Sequence, residues 1–220
     1  GRPLLSRGFL EEARRQAERL LIPLVRASAS GTPIVFLEPS CQSMVRDDYL
    51  TLLPREHREA VADVARACVS LEEWAAGSPV LFPPPALEPS RFTPAAQPVL
   101  VHPHCHQPCM GNQEATLRAL RGLPGTPITP LETGCCGMAG AFGYEHAPVS
   151  RQIAAHRLLP ALAKADPEAV VAAPGFSCRS QIRELSGRAA RHPAQILRDN
   201  LILSPAEYRR LRMEDDSAAG

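Results

Sequence analysis

Residues 128–143 read Ile-Thr-Pro-Leu-Glu-Thr-Gly-Cys-Cys-Gly-Met-Ala-Gly-Ala-Phe-Gly, a short strand-like run that stops at two adjacent cysteines set among glycines. Neighbouring Cα atoms stand about 3.8 Å apart, whereas a relaxed disulfide wants roughly 4.4–6.8 Å. A structural bridge between Cys135 and Cys136 is therefore a poor explanation. Two thiolates side by side suit a soft metal centre, an iron–sulfur cluster or zinc. The surrounding glycines let the backbone turn sharply and come close to whatever the sulfurs hold. The alternative is a Gly-rich strand-to-helix turn whose cysteines are small core residues. On this stretch alone the two readings stand level.

The flanking sequence repeats the layout. Val99 to His102 reads as a strand ending at His104-Cys105-His106, and Ala169 to Ala173 as one ending at Pro174-Gly175-Phe176-Ser177-Cys178. Helical patterns follow at Asn112 to Arg121, Val149 to Ala165, Cys178 to Leu185 and His192 to Leu201. Alternating strand and helix predict a parallel sheet covered by helices, and such sheets bind ligands beyond the carboxyl ends of their strands. Each of these strands ends at a cysteine motif. Unrelated core cysteines have no reason to gather at one sheet edge, but ligands of one centre do. Cys105, Cys135, Cys136 and Cys178 are the expected ligands, with buried or redox thiols as the alternative.

Four further residues are candidates. His104 and His106 flank Cys105 and are expected to hydrogen-bond around the centre or to meet a substrate or acceptor; direct ligation is the lesser reading. Cys109 lies one helical turn past Cys105 and reads as a neighbour or a fifth ligand. Cys41 closes the run Glu-Pro-Ser-Cys in the first half; Glu38 in that run is given no role. His102, His146 and His156 are expected to be structural or solvated. Arg179 would attract an anionic acceptor or face solvent. Gly137, Gly140 and Gly143 do not have the spacing of a dinucleotide loop, and no P-loop Lys-Ser/Thr follows them.

The first half opens with an amphipathic helix over Phe9 to Ala29, which Pro23 should kink or end. An apolar strand at Thr32 to Leu37 follows, then helices at Cys41 to Leu53, capped by Ser40, and at Arg55 to Cys68, with Cys68 buried. Trp74 is expected to anchor the core from a further short helix. Ile34–Cys41 (strand, Pro turn, Ser-Cys) resembles Val170–Cys178. Cys178 follows Gly137 by 41 positions (178 − 137) and Cys41 follows Gly1 by 40 (41 − 1). The expected fold class is thus α/β, with two pseudo-repeats of parallel strands flanked by helices, the first repeat truncated at the N-terminus. The expected boundaries are 1–76 for the first repeat, 77–97 for a stiff Pro-rich connector, 98–203 for the second repeat, and 204–220 for a helix with Ser204 capping-box chemistry and a frayed tail.

Composition narrows the function classes. The chain has 220 residues and a formal net charge of +1, which argues against a nucleic-acid footprint. No apolar run reaches the roughly 18 residues of a membrane span, and the first residues carry no apolar signal region. Seven cysteines without such a region point to a reducing, cytoplasmic setting, where clustered cysteines act as ligands or catalysts.

These motifs together resemble the cysteine-rich CCG domain. That domain occurs in the catalytic subunit of heterodisulfide reductase, in the iron–sulfur subunit of glycolate oxidase, and at the C-terminus of long FAD-linked oxidases acting on D-lactate or D-2-hydroxyglutarate. The resemblance rests on His104–Gln107, on Thr133–Gly140 and on Gly175–Arg179, with Gly-Arg-Pro-Leu and Glu-Pro-Ser-Cys matching the end of a first repeat. It departs after Cys178, where Arg179, Ser180 and Gln181 replace the Cys-x-x-Cys ending of heterodisulfide reductase. The resemblance implies an iron–sulfur cluster, of 4Fe-4S type, or zinc, with FAD elsewhere in a longer protein. It implies flavin and ferredoxin-like partner domains, an electron acceptor, and a place in the cytoplasm or at the inner face of the membrane. Electron transfer, a structural zinc domain and thiol–disulfide chemistry are the competing functions.

Overall fold

The computed structural model describes residues 1–77, 89–204 and 207. Six strands are named here in chain order: β1 (Ile34–Phe36), β2 (Cys68–Ser70), β3 (Val99–Val101), β4 (Ile128–Pro130), β5 (Val170–Ala172) and β6 (Ala190–Arg191). All pairs are parallel: β1 with β2 in one sheet, and β4-β3-β5-β6 in the other. The α/β class and the parallel strands flanked by helices are as expected from sequence.

Side-chain alternation explains the layers of the larger sheet. Val99, Val101 and Ala172 face one cluster with Leu117, Leu120, Leu123 and Ile196. Val171 and Ala173 face the other, with Leu158, Leu162, Ile182, Cys136 and Cys178. Helices thus cover both faces, as βαβ connections require. In the first half, the helix Leu10–Ala29 turns Ala13, Ala17 and Leu21 inward against Val61, Val64 and Tyr49.

Several local expectations are corrected. Pro23 neither ends nor interrupts the helix Leu10–Ala29, because the buried stripe continues past it into partly buried Leu24 and Val25. The helix expected from Cys41 begins earlier, at Pro39, since proline suits a first helical position. It runs on through a π-helical turn, Met44–Asp48, into Tyr49–Leu52. The helix expected over Val149 to Ala165 divides into Ala147–His156 and Leu158–Lys164. Pro160 accounts for the break: it lacks the N–H that would bond His156 and its ring crowds that carbonyl. The expected Asn112 to Arg121 helix shortens to Ala115–Leu120, and Gly111 at φ 72° ends a separate turn, His106–Met110. Cys68 is buried as expected but opens strand β2, and Trp74 is only half-buried.

Part of the Pro-rich connector (78–88) and most of 204–220 lie outside the described residues. Of the latter, Ser204 and Glu207 exchange the reciprocal bonds of a capping box at 2.8 and 3.3 Å.

The two halves meet through buried polar side chains. Gln42 bridges Glu73 (2.9 Å) and Asn112 (3.3 Å), while His192 Nε2 donates to the Leu37 carbonyl at 2.8 Å. Beside this bond, Glu72 is 1% exposed, and its Oε1 has no hydrogen-bond partner and lies 3.7 Å from His192 Nε2. Burial pushes the Glu72 carboxyl up to about 7. The folded protein therefore keeps a proton there that the unfolded chain releases near its ordinary value of 4.5. The sign follows: this contribution to stability is intact below about 4.5 and is lost as pH rises through about 7. Glu72→Gln is expected to abolish that decline, a difference on the order of 3 kcal/mol at pH 8. Urea unfolding of both proteins across pH 5–8 checks it.

Candidate metal centre

Strand β3 lies between β4 and β5, so the ends of these three strands are neighbours. The chain order reverses at β3, and a crevice opens at such a switch point. The backbone leaving β3 carries His102, His104 and Cys105; that leaving β4 carries Thr133, Cys135 and Cys136; that leaving β5 carries Gly175 and Cys178. All four expected ligands are brought to this edge. Cys105 and Cys135 are exposed, and Cys136 and Cys178 are buried.

The sulfurs interact in a row: Cys105 with Cys135, Cys135 with Cys136, and Cys136 with Cys178. Among the described residues, no three His, Cys, Asp or Glu side chains converge on a single point as metal ligands. The Gly137 N–H also donates to the Cys135 sulfur at 3.3 Å. These contacts hold its thiol far below the usual range. Cys105 and Cys136 are pushed up by the same contacts and by burial. Cys178 is held low by the hydrogen bond from Cys136 and by nearby His102, against its burial. Its position in the first turn of the helix Phe176–Ser186 adds the favourable end of the helix dipole. The four thiols thus influence one another's ionisation, and a metal would displace the protons they carry.

Cys105, Cys135 and Cys136 line a cavity of about 160 Å³ with Glu38, His104 and His106. His104 Nδ1 accepts from the His106 backbone N–H at 3.1 Å, which leaves its proton on Nε2, facing Glu38 Oε1 at 3.8 Å. His106 Nδ1 is bonded to Ser43 Oγ at 2.7 Å, and burial lowers the ring's affinity for a proton. Both histidines are thus engaged around the sulfurs. Cys109 is exposed and does not line this cavity. Cys41 lines an adjoining groove of about 560 Å³ with Phe142, Tyr144 and Phe176. Burial and then Glu38 push its thiol up.

Three residues of the site were not recognised as such in the sequence. His102, expected to be structural or solvated, is 1% exposed; its Nδ1 bonds Thr133 Oγ1 at 2.5 Å and its Nε2 has no hydrogen-bond partner, although the ring approaches Cys178. A histidine directly after a buried strand that ends at a cysteine motif was the available signal. Thr133, 1% exposed, carried no comparable signal, since it stands three positions past the partly exposed strand β4. Glu38 crosses from the first half to accept the Phe176 backbone N–H at 2.8 Å. Arg179, expected to attract an anion or face solvent, instead donates to the Ala173 and Pro174 carbonyls at 2.9 and 2.6 Å and so fixes the turn after β5.

The donor set fits a soft metal centre: four free thiols from three neighbouring strand ends beside a buried imidazole nitrogen without a hydrogen-bond partner. Residues 99–183 match the cysteine-rich CCG domain family. The match spans β3 to the helix after β5 and holds all four cysteines. Among curated proteins, the chain is 28% identical over 194 residues to the D-2-hydroxyglutarate dehydrogenase of Pantoea ananatis, covering 87% of this chain and 18% of that protein. It is 28% identical over 195 residues to the Escherichia coli enzyme of the same name, with the same coverage. It is also 28% identical over 201 residues to a subunit of the anaerobic glycerol-3-phosphate dehydrogenase of Escherichia coli, covering 90% of this chain and 48% of that polypeptide. The chain therefore spans under a fifth of the two D-2-hydroxyglutarate dehydrogenases and about half of the third relative. No solved structure matches the chain. No helix among the described residues is long and apolar enough to cross a membrane.

Proposed function

We propose that this chain is an electron-transfer domain in which Cys105, Cys135, Cys136 and Cys178 hold one iron–sulfur cluster, of 4Fe-4S type. It would serve a dehydrogenase that oxidises a D-2-hydroxy acid, of the D-2-hydroxyglutarate or D-lactate type, at an FAD carried by another part of the protein. The observation that carries this reading is the gathering of four interacting thiols from three adjacent strand ends. The names of the relatives support the redox setting. A row of thiols suits a cluster, which takes one thiolate per iron, better than a single zinc ion, which wants all its ligands around one atom. A cluster supplies one-electron chemistry at a potential set by its surroundings. The chain's own part is to hold the thiolates, to donate the Gly137 N–H to Cys135, and to place His102 beside Cys178.

The proposed organisation has the repeat 1–76 joined through 77–97 to the repeat 98–203, with 204–220 as a terminal appendage. Flavin and ferredoxin-like domains and an electron acceptor are the proposed partners, in the cytoplasm or at the inner face of its membrane. Anaerobic purification followed by iron, sulfide and zinc analysis tests the reading. The expected result is one cluster per chain, with iron and sulfide in equal amounts and a visible band that bleaches on reduction. Stoichiometric zinc without sulfide would mean a structural metal domain instead.

A further inference from the structure

The turn after β1 reaches the sulfur site from the other half of the chain. There Glu38 makes three contacts with one carboxylate. Oε2 accepts the Phe176 backbone N–H at 2.8 Å, across 138 positions of sequence. Oε1 accepts the Ser40 hydroxyl at 3.0 Å and lies 3.8 Å from His104 Nε2. Phe176 is the first residue of the helix that presents Cys178. His104 directly precedes Cys105 and packs over Gly175, where an added Cβ would overlap the imidazole and lie 3.2 Å from Cys178 Sγ. The carboxylate thus touches the backbone that aims Cys178 and the ring beside Cys105. It also lines the cavity into which Cys105, Cys135 and Cys136 open.

We infer that Glu38 is a positioning residue for the sulfur site: it pins the Cys178 helix and the His104 ring in register, so that the first half of the chain holds the ligands of the second. Two properties of Glu38 are separable. Its oxygen accepts the Phe176 N–H, a role that glutamine can also fill. Its negative charge opposes added electrons nearby, and glutamine removes that charge. The inference rests on the cysteines being the ligands, and the experiment keeps the two ideas apart.

The wild type, Glu38→Ala and Glu38→Gln are compared in two ways. In the metal-free protein under native conditions, mass spectrometry follows alkylation of Cys178, with buried Cys68 as the internal reference. In the reconstituted protein, iron is withdrawn by a competing chelator and the midpoint potential is recorded. Glu38→Ala should expose Cys178 to alkylation while Cys68 stays protected, and should weaken iron retention about 10-fold or more. Glu38→Gln should restore both and leave the midpoint potential more positive than in the wild type. Should Glu38→Ala not fold, Phe176→Pro removes the donor at a first helical position that tolerates proline and should expose Cys178 in the same way. A Glu38→Ala protein that keeps both Cys178 protection and iron retention overturns the inference. If the wild type takes up no iron, the cluster reading falls, and the alkylation rates alone decide the role of Glu38.

Discussion

Cys135→Ser, Cys136→Ser and Cys178→Ser are each expected to reduce the iron content of the reconstituted protein to background, while Cys68→Ser leaves it unchanged. Serine keeps the size of the side chain but replaces a soft sulfur, whose proton a metal displaces, by a hydroxyl that stays protonated at neutral pH. The effect should be all-or-none because the sulfurs work in a row. Cys135 and Cys136 each contact two others, so either substitution breaks the row, and Cys178 is the only member from β5. Cys68 is equally buried but lies elsewhere. It pairs with Ile34 at the opposite end of β1 from Glu38, in the core of the first half. Burial pushes its thiol up to about 12, and it lies outside the cavity that Cys105, Cys135 and Cys136 line. Cys68→Ser should lower stability by about 1–3 kcal/mol through its buried hydroxyl, without touching the iron. Iron and sulfide assays beside melting curves on the four variants check both halves of the expectation. Equal iron loss in all four would refute the assignment.

Gly137→Ala is expected to destabilise the protein by about 3 kcal/mol or more and to prevent cluster assembly. Gly137 has φ 94°, outside the range that side chains favour, and an added Cβ would overlap the Ser150 carbonyl oxygen. A left-handed conformation costs about 1–2 kcal/mol for an ordinary residue, and forced overpacking about 1–3 kcal/mol more. The Ser150 carbonyl belongs to the helix Ala147–His156 and cannot rotate away as a side chain would. The turn must therefore shift, which moves the Gly137 N–H off the Cys135 sulfur. Gly140→Ala is the control: it shares a left-handed φ of 67°, but open space surrounds its Cβ position. It should lose about 1–2 kcal/mol and still assemble the cluster. Denaturant midpoints and iron content of the two variants separate strain from collision.

The cysteine-bearing strands were legible because each carries an apolar run cut off by a turn motif, and parallel topology forces such ends to one edge. Cys105, Cys135, Cys136 and Cys178 followed from that rule alone. Strands β2 and β6 were not legible. Cys68–Ser70 continues directly from a helix with no glycine or proline between, and Ala190–Arg191 is only 2 residues long; neither leaves a periodic signal. Glu38 was invisible for a different reason. Its partners Phe176 and His104 are brought to it by tertiary packing, and nothing in Glu-Pro-Ser-Cys marks a bond across 138 positions. His102 looked like one more histidine until its burial and its approach to Cys178 set it apart.

A redox titration of the anaerobically reconstituted chain, followed by visible absorption and electron paramagnetic resonance, tests the central claim most directly. A cluster held by the four thiols should give a reversible one-electron wave, with a paramagnetic signal that appears as the visible band bleaches. The wave should vanish in Cys178→Ser while the fold persists. A two-electron wave without a paramagnetic signal, accompanied by loss of two titratable thiols on oxidation, would mean that the row works as a thiol–disulfide couple and contradict the account.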